Sequence, residues 1–234
     1  MRGRFNNTQL KYLAASFMFL DHFALILLDG SGWTYLVFRG IGRLAAPIFF
    51  WTIAEGAWHT KHPKRYLTQL LGFGVIFQLA YWWSLGGGLG FQDYLTSEKN
   101  IFLTLALGLI ALLIMKGYPG KPLVLGTTIV VFPLIATLFQ LDYGWYGVGM
   151  MILFYWFRKD NSRMTLWIIL LSGMRFLTSM GTMGLVWNST QWLALLALPL
   201  IFLHNGERGK GNRYFFYLFY PTHLLLLQCL QSFL

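Results

Sequence analysis

The sequence has little charge and almost no cysteine. Charged residues make up 11% of its 234 residues and hydrophobic residues 56%, whereas a soluble domain has about 25% charged residues. The mean hydropathy is +0.55. A single cysteine, Cys229, excludes a disulfide framework or a cysteine metal site within one chain. The low fraction of charged residues and the high hydropathy exclude an ordinary soluble domain and predict an integral membrane protein.

Apolar runs divide the chain into about nine segments, each near the ~20 residues that a transmembrane helix needs. They lie at about 9–28, 34–57, 66–84, 100–116, 122–140, 143–157, 164–182, 190–204 and 214–233. The sequence shows no internal repeat, and no linker between the segments is long enough to separate domains. The sequence therefore predicts an all-α polytopic membrane protein with about nine transmembrane helices (eight to ten) in a single domain over residues 1–234.

Lysine and arginine are distributed unevenly among the loops. Thirteen lie in one set of alternate loops and only Lys99 lies in the other set. The thirteen are Arg2, Arg4, Lys61, Lys64, Arg65, Lys116, Lys121, Arg158, Lys159, Arg163, Arg208, Lys210 and Arg213. This positive-inside pattern predicts a cytoplasmic N-terminus in a multi-pass protein of the cytoplasmic (inner) membrane. It also explains the net charge of +10, so no nucleic-acid partner is expected.

The first segment carries an adjacent acid and histidine, Asp21 and His22, inside its apolar run. Ionisable groups at membrane depth are costly and usually face a polar cavity or a partner. A histidine can take up a proton near neutral pH, so His22 is the best candidate for a catalytic base. Asp21 is rotated about 100° from it on a helix, so it is free to neutralise an arginine on another helix. The alternative is that Asp21 and His22 only hold helices together.

Two arginines, Arg39 and Arg43, lie on one face of the second segment at a depth similar to that of His22. Such a pair suits an anionic group or a developing oxyanion, although it could serve only to neutralise Asp21. Gly40 and Gly42 permit close helix approach. Pro47 leaves the carbonyl of Arg43 without its usual amide donor, which favours a kink at this point.

Other ionisable residues are weaker candidates. Lys11 precedes His22 by three helical turns and shares its face. Glu55 lies near the cytoplasmic end of the second segment. Arg175 and His223 lie at depth, each either a site residue or a packing contact. His59 and His62 form a weak metal motif, but no carboxylate or cysteine supports it. A solvated loop is the favoured interpretation, so no metal is expected.

Several blocks in one order make the chain resemble the TraX family, named for the protein that acetylates the N-terminus of F-pilin in conjugation. The similar blocks are residues 19–22, 41–49, 55–60, 100–108, 142–147, 196–201 and 214–223. That family is thought to be related to the integral-membrane acyltransferases that acetylate envelope sugars. Those enzymes have ten residues between a basic residue and a first-helix histidine, as Lys11 and His22 do. Their arginine pair has two intervening residues, whereas Arg39 and Arg43 have three.

The resemblance implies transfer of an acetyl group from cytoplasmic acetyl-CoA to an acceptor on the outer side of the membrane. The acceptor would be a pilin-like amine, a glycan or a small molecule. His22 would then accept the acceptor's proton or be transiently acetylated, and Arg39 or Arg43 would stabilise the oxyanion, with Asp21 beside them. Candidates for binding substrate or CoA are Lys11, Glu55, Arg175, His223, Lys61, Lys64 and Arg65. The basic loops over 158–163 and 208–213 could also hold CoA phosphates.

Two other classes of function remain open at this point. Buried Asp, His and Arg side chains could line the path of a small proton-coupled transporter, although no internal repeat supports this. The chain could also be a non-catalytic assembly factor for an envelope apparatus.

Overall fold

The computed structural model describes residues 3–30, 32–84, 99–179 and 190–233, without the side chains of 81–84, Ser179 and Arg213. Arg2 and residues 180–182 of the seventh predicted segment lie outside the described residues. Helices and two isolated β-bridges are the regular structure of the described part. The helices are α1 (Asn7–Leu27), α2 (Trp33–Gly42), α3 (Ala45–His59), α4 (Pro63–Ser84), α5 (Ile101–Gly117), α6 (Pro122–Leu138), α7 (Gly144–Trp156), α8 (Asn161–Ser179), a 3-10 helix (Gln191–Leu196), α9 (Ala197–Phe202) and α10 (Arg213–Gln231).

The all-α prediction is confirmed for the described residues, and each predicted segment coincides with a helix or a pair of consecutive helices. Among the residues that the structure describes, two stretches are long and apolar enough to cross a bilayer by length and composition, namely α1 and the run Trp33–His59 formed by α2 and α3. The arrangement of nine spans stays a prediction.

The chain forms two compact units, 1–52 with 161–234 and 53–160. In the first unit, α1 packs against α2 and α10, and the 3-10 helix packs against α2 and α8. Asn6 and Gln9 close a capping box at the start of α1, each side chain accepting the other's amide at 2.9 Å. The amide of Asn7 donates to the Glu207 carbonyl at 2.9 Å. These contacts fix the start of α1 against the loop before α10.

Two prolines decide where helices of this unit change course. Pro47 lies in the first turn of α3, and the helix is interrupted at Arg43 and Leu44. Pro199 lies in the first turn of α9, and the preceding residues form a 3-10 helix. Proline lacks an amide donor and its ring clashes with the carbonyl four residues back, which favours a kink or break in the helix before each of these prolines. The predicted kink at Pro47 is confirmed, while the eighth predicted segment is two helices instead of one.

In the second unit, α5 packs against α4, α6 and α7. Asn100 caps α5 by accepting from the Phe102 amide, and its side chain donates to the carbonyl of Gly74 in α4 at 2.7 Å. Lys116, near the end of α5, donates through Nζ to the carbonyls of Ala57 and Trp58 at 2.9 and 2.7 Å. A lysine thereby satisfies two terminal carbonyls of α3. Whether the chain is the single transmembrane domain predicted for residues 1–234 stays a prediction.

Candidate functional site

Asp21 of α1 binds both arginines of the second predicted segment. Arg39 donates from Nη1 to Oδ2 of Asp21 at 2.5 Å, and Arg43 donates from Nη2 to Oδ1 at 2.8 Å. The side chains are 4% exposed for Arg39, 7% for Arg43 and 14% for Asp21. The alternative that Asp21 neutralises an arginine on a neighbouring helix is confirmed, and it holds for two arginines at once.

Local features of α2 bring the arginines to one carboxylate. Arg43 follows the last residue of α2, where the chain turns before α3, and its Nε donates to the Arg39 carbonyl at 3.3 Å. Gly42 faces Asp21 so closely that a Cβ at this position would overlap the carboxylate. A side chain larger than hydrogen would therefore push α1 away from α2.

His22 contacts a second histidine on α10. Its Nδ1 lies 2.7 Å from Nε2 of His223, although the two residues are 201 positions apart in the chain. The ring centroids are 4.9 Å apart. His223 is 3% exposed, so its ring reaches bulk solvent hardly at all. The sequence left His223 as either a site residue or a packing contact. The structure places it in direct contact with His22, the candidate base.

The ring of His223 is held from several sides. Its Nδ1 donates to the carbonyl of Phe219 at 2.6 Å, one turn earlier on α10. The Phe219 ring stacks on it with an interplanar angle of 16° and a centroid distance of 4.7 Å. Tyr220 meets the same imidazole edge-on at 6.0 Å. These contacts leave the ring of His223 little freedom to rotate.

Asp21, His22, Arg39, Arg43 and His223, which we call the polar centre, all belong to the first unit. Asp21, the residue before His22, binds both arginines, so His22 and the arginines lie at a similar level along α1 and α2. Their depth in a membrane stays a prediction. Chemically, the polar centre offers an imidazole that can take up a proton and two fixed guanidinium groups that can stabilise developing negative charge.

Lys11 lies away from the polar centre. At 1.5 Å per residue it is about 16 Å from His22 along α1, and its Nζ lies 5.8 Å from the centre of the Phe216 ring on α10. Because Phe216 and His223 are both on α10, Lys11 and His22 face the same neighbouring helix. Lys11 stays a candidate for substrate binding, about three helical turns from His22.

The remaining candidates lie on other helices or in the loop before α4. Glu55 lies in the second unit, where its Oε2 is 3.3 Å from Nδ1 of the exposed His59. Lys61, Lys64 and Arg65 belong to the same unit, around the start of α4, and each is exposed. Arg175 lies on α8 in the first unit, where its carbonyl accepts from Thr178.

The aromatic residues around His223 were not among the candidates from the sequence. Phe219 and Tyr220 lie four and three positions before His223, so helical spacing alone places them near its ring. A polar residue within an apolar helix, with aromatics at those spacings, is the signal that would have identified them.

Comparisons with known proteins give one consistent family. A family model described as TraX protein matches residues 6–231. The chain is also 31% identical over 240 residues to a protein of Dichelobacter nodosus named "Probable fimbrial assembly protein FimC, serogroup H1". That alignment covers 98% of this chain and 97% of the relative. No solved structure matches the chain.

Proposed function

The chain belongs to the TraX family, and on this basis we propose that it is a membrane-embedded acetyltransferase that acts in pilus or fimbrial assembly. The donor is acetyl-CoA from the cytoplasm, and the acceptor is an amine or hydroxyl outside, with a pilin N-terminal amine as the first candidate. The polar centre is the observation that carries the proposal. It combines a base, His22, with two arginines fixed by Asp21.

The proposed chemistry uses three groups. An acceptor amine attacks the thioester carbonyl, and a ring nitrogen of His22 takes the proton that the amine loses. Arg39 and Arg43 lie beside the developing oxyanion and stabilise it, because their guanidinium groups are already oriented by Asp21. General base catalysis of this kind contributes about 10²–10⁴-fold in rate.

A multi-pass location in the cytoplasmic membrane is part of the proposal. The shorter helix α6 exposes large apolar residues such as Leu123, Val130 and Leu138, which are 79%, 65% and 70% exposed. Helix α8 likewise exposes Leu166 and Leu177 at 55% and 69%. Such apolar surface on several helices suits contact with lipid tails better than contact with water.

The fimbrial assembly role comes from the relative of Dichelobacter nodosus, whose name describes such a protein. Acetyl transfer comes from the family resemblance and from the chemistry available at the polar centre. Lys61, Lys64 and Arg65 are proposed to hold CoA phosphates at the cytoplasmic face, and Lys11, Glu55 and Arg175 stay candidates for substrate binding.

The test uses purified protein in nanodiscs with radiolabelled acetyl-CoA and a peptide with a free N-terminal amine. We expect labelled peptide and free CoA in equal amounts, lost in His22→Ala and kept in Ser16→Ala, which alters an exposed residue of the same helix. Neither product would form if the chain is a transporter or a non-catalytic assembly factor. Transport of a solute without CoA release would favour the transporter.

A further inference from the structure

The contact between His22 and His223 indicates which ring nitrogens carry protons. The catalytic role inferred from it rests on the proposed acetyl transfer. A carbonyl oxygen can only accept a hydrogen bond, so His223 Nδ1 must carry a proton to donate to Phe219 at 2.6 Å. A neutral imidazole has one protonated nitrogen. Nε2 of His223 is therefore an acceptor in the neutral ring.

The same reasoning then applies to His22. Its Nδ1 lies 2.7 Å from the accepting Nε2 of His223, so Nδ1 of His22 carries the proton and donates it. The remaining nitrogen of His22, Nε2, is left with a lone pair. The opposite arrangement requires a positively charged His223, and that ring is 3% exposed inside an apolar helix bundle that already holds two arginines.

We propose that His223 is a positioning residue that fixes the tautomer of His22, so that Nε2 of His22 is the atom that takes the acceptor's proton. The carbonyl of Phe219, the ring of His223 and the ring of His22 form a chain of two hydrogen bonds that ends at Nδ1 of His22 and keeps the proton on that nitrogen. A base oriented by a third group follows the general logic of activated catalytic sites.

The transfer step balances with this assignment. The amine nitrogen forms a bond to the thioester carbon, and the carbon–sulfur bond breaks. The proton lost by the amine moves to Nε2 of His22 and from there to the departing CoA thiolate. Nδ1 keeps its proton throughout, and its hydrogen bond to His223 stabilises the positive charge that His22 carries between the two transfers.

The kinetic test compares two variants of His223 with a control on the same helix. His223→Phe keeps a buried ring but removes the acceptor, whereas His223→Gln retains an oxygen near the position of Nε2. Thr222→Val alters the exposed neighbouring residue, whose hydroxyl bonds only the local Leu218 carbonyl in the described contacts.

We expect His223→Phe to lower kcat for acetyl transfer about ten- to a hundredfold, with KM for acetyl-CoA changed less than about twofold. His223→Gln should recover most of the loss, and Thr222→Val should retain wild-type kcat. Equal kcat in His223→Phe and wild type would overturn the proposal. So would a folded His223→Gln as inactive as His223→Phe, because a purely structural role for the ring would give that result.

A spectroscopic test needs no activity. In ¹⁵N-histidine-labelled wild-type protein, NMR should show Nδ1 of His22 protonated and Nε2 unprotonated, with the signal assigned through His22→Gln. In His223→Phe the two tautomers of His22 should mix. Protonation of Nε2 in the wild type would overturn the proposal. If this tautomer is found but wild type transfers no acetyl group, the proposed function fails while the positioning role of His223 stands.

Discussion

Asp21 and Arg39 form an ion pair between α1 and α2, with Nη1 of Arg39 2.5 Å from Oδ2 of Asp21. Arg43 binds the other oxygen of the same carboxylate at 2.8 Å. One acid therefore orients two arginines, and its loss should affect both the stability of the first unit and the proposed chemistry.

Asp21→Asn should destabilise the protein by about 3–5 kcal/mol, because it removes the charged carboxylate that binds two buried guanidinium groups. Thermal unfolding in detergent micelles measures the effect. Glu207→Gln is the matched control, since Glu207 is an exposed carboxylate of the same unit and should change stability by at most about 0.5 kcal/mol. Equal melting temperatures for the two variants would contradict the structural role of Asp21.

Gly42→Ala should disrupt the packing of α1 on α2, because the added Cβ would overlap the carboxylate of Asp21. Overpacking of this kind costs about 1–3 kcal/mol. Gly72→Ala serves as the control, because a Cβ at this helical position meets no atom within 4 Å. That substitution should be neutral or stabilise the protein by up to about 1 kcal/mol. Melting curves that place Gly42→Ala at or above Gly72→Ala would refute the close approach of the two helices.

The limits of the helices could be predicted from hydropathy with small errors. The first predicted segment, 9–28, corresponds to α1 at Asn7–Leu27, and the sixth, 143–157, corresponds to α7 at Gly144–Trp156. Apolar runs end where polar loops begin, so length and composition suffice for this purpose. The 3-10 helix before Pro199 was missed because hydropathy does not register a lost amide donor.

The contacts of the site could be predicted only in part. Helical geometry indicated that Asp21 points away from His22, and it placed Arg39 and Arg43 on one face. It could not identify the partner of His22, because periodicity fixes the face of a helix but not which helix packs against it. His223 lies 201 residues later, and only the packing of α10 on α1 brings it to His22.

Lys116→Met should weaken the C-terminal end of α3, because Nζ of Lys116 donates to the carbonyls of Ala57 and Trp58. Hydrogen bonds from charged groups contribute about 1.5–3 kcal/mol, so a loss in this range is expected in chemical unfolding. Lys121→Met is the control, since Lys121 is exposed and its described side-chain contact is with the Tyr118 ring. Indistinguishable unfolding midpoints for these variants would argue against the capping role of Lys116.

Membrane topology can be tested with single cysteines, because Cys229→Ser removes the only native one. Asp29→Cys, after α1, should react with a membrane-impermeant maleimide in spheroplasts. Lys61→Cys, before α4, should react only after the membrane is permeabilised, because the basic loops are predicted to be cytoplasmic. The reverse pattern of labelling would invert the orientation, and labelling of both sites without permeabilisation would contradict a membrane crossing by α2 and α3.

The proposed acetyl transfer across the membrane can be measured in proteoliposomes in which the protein has a known orientation. Acetyl-CoA is supplied at the face that bears Lys61, an amine peptide is supplied at the opposite face, and the peptide is then analysed by mass spectrometry. We expect an acetylated peptide with wild type and with Ser16→Ala, and none with His22→Ala. An unmodified peptide with wild type, or equal acetylation with His22→Ala, would contradict the proposed transfer.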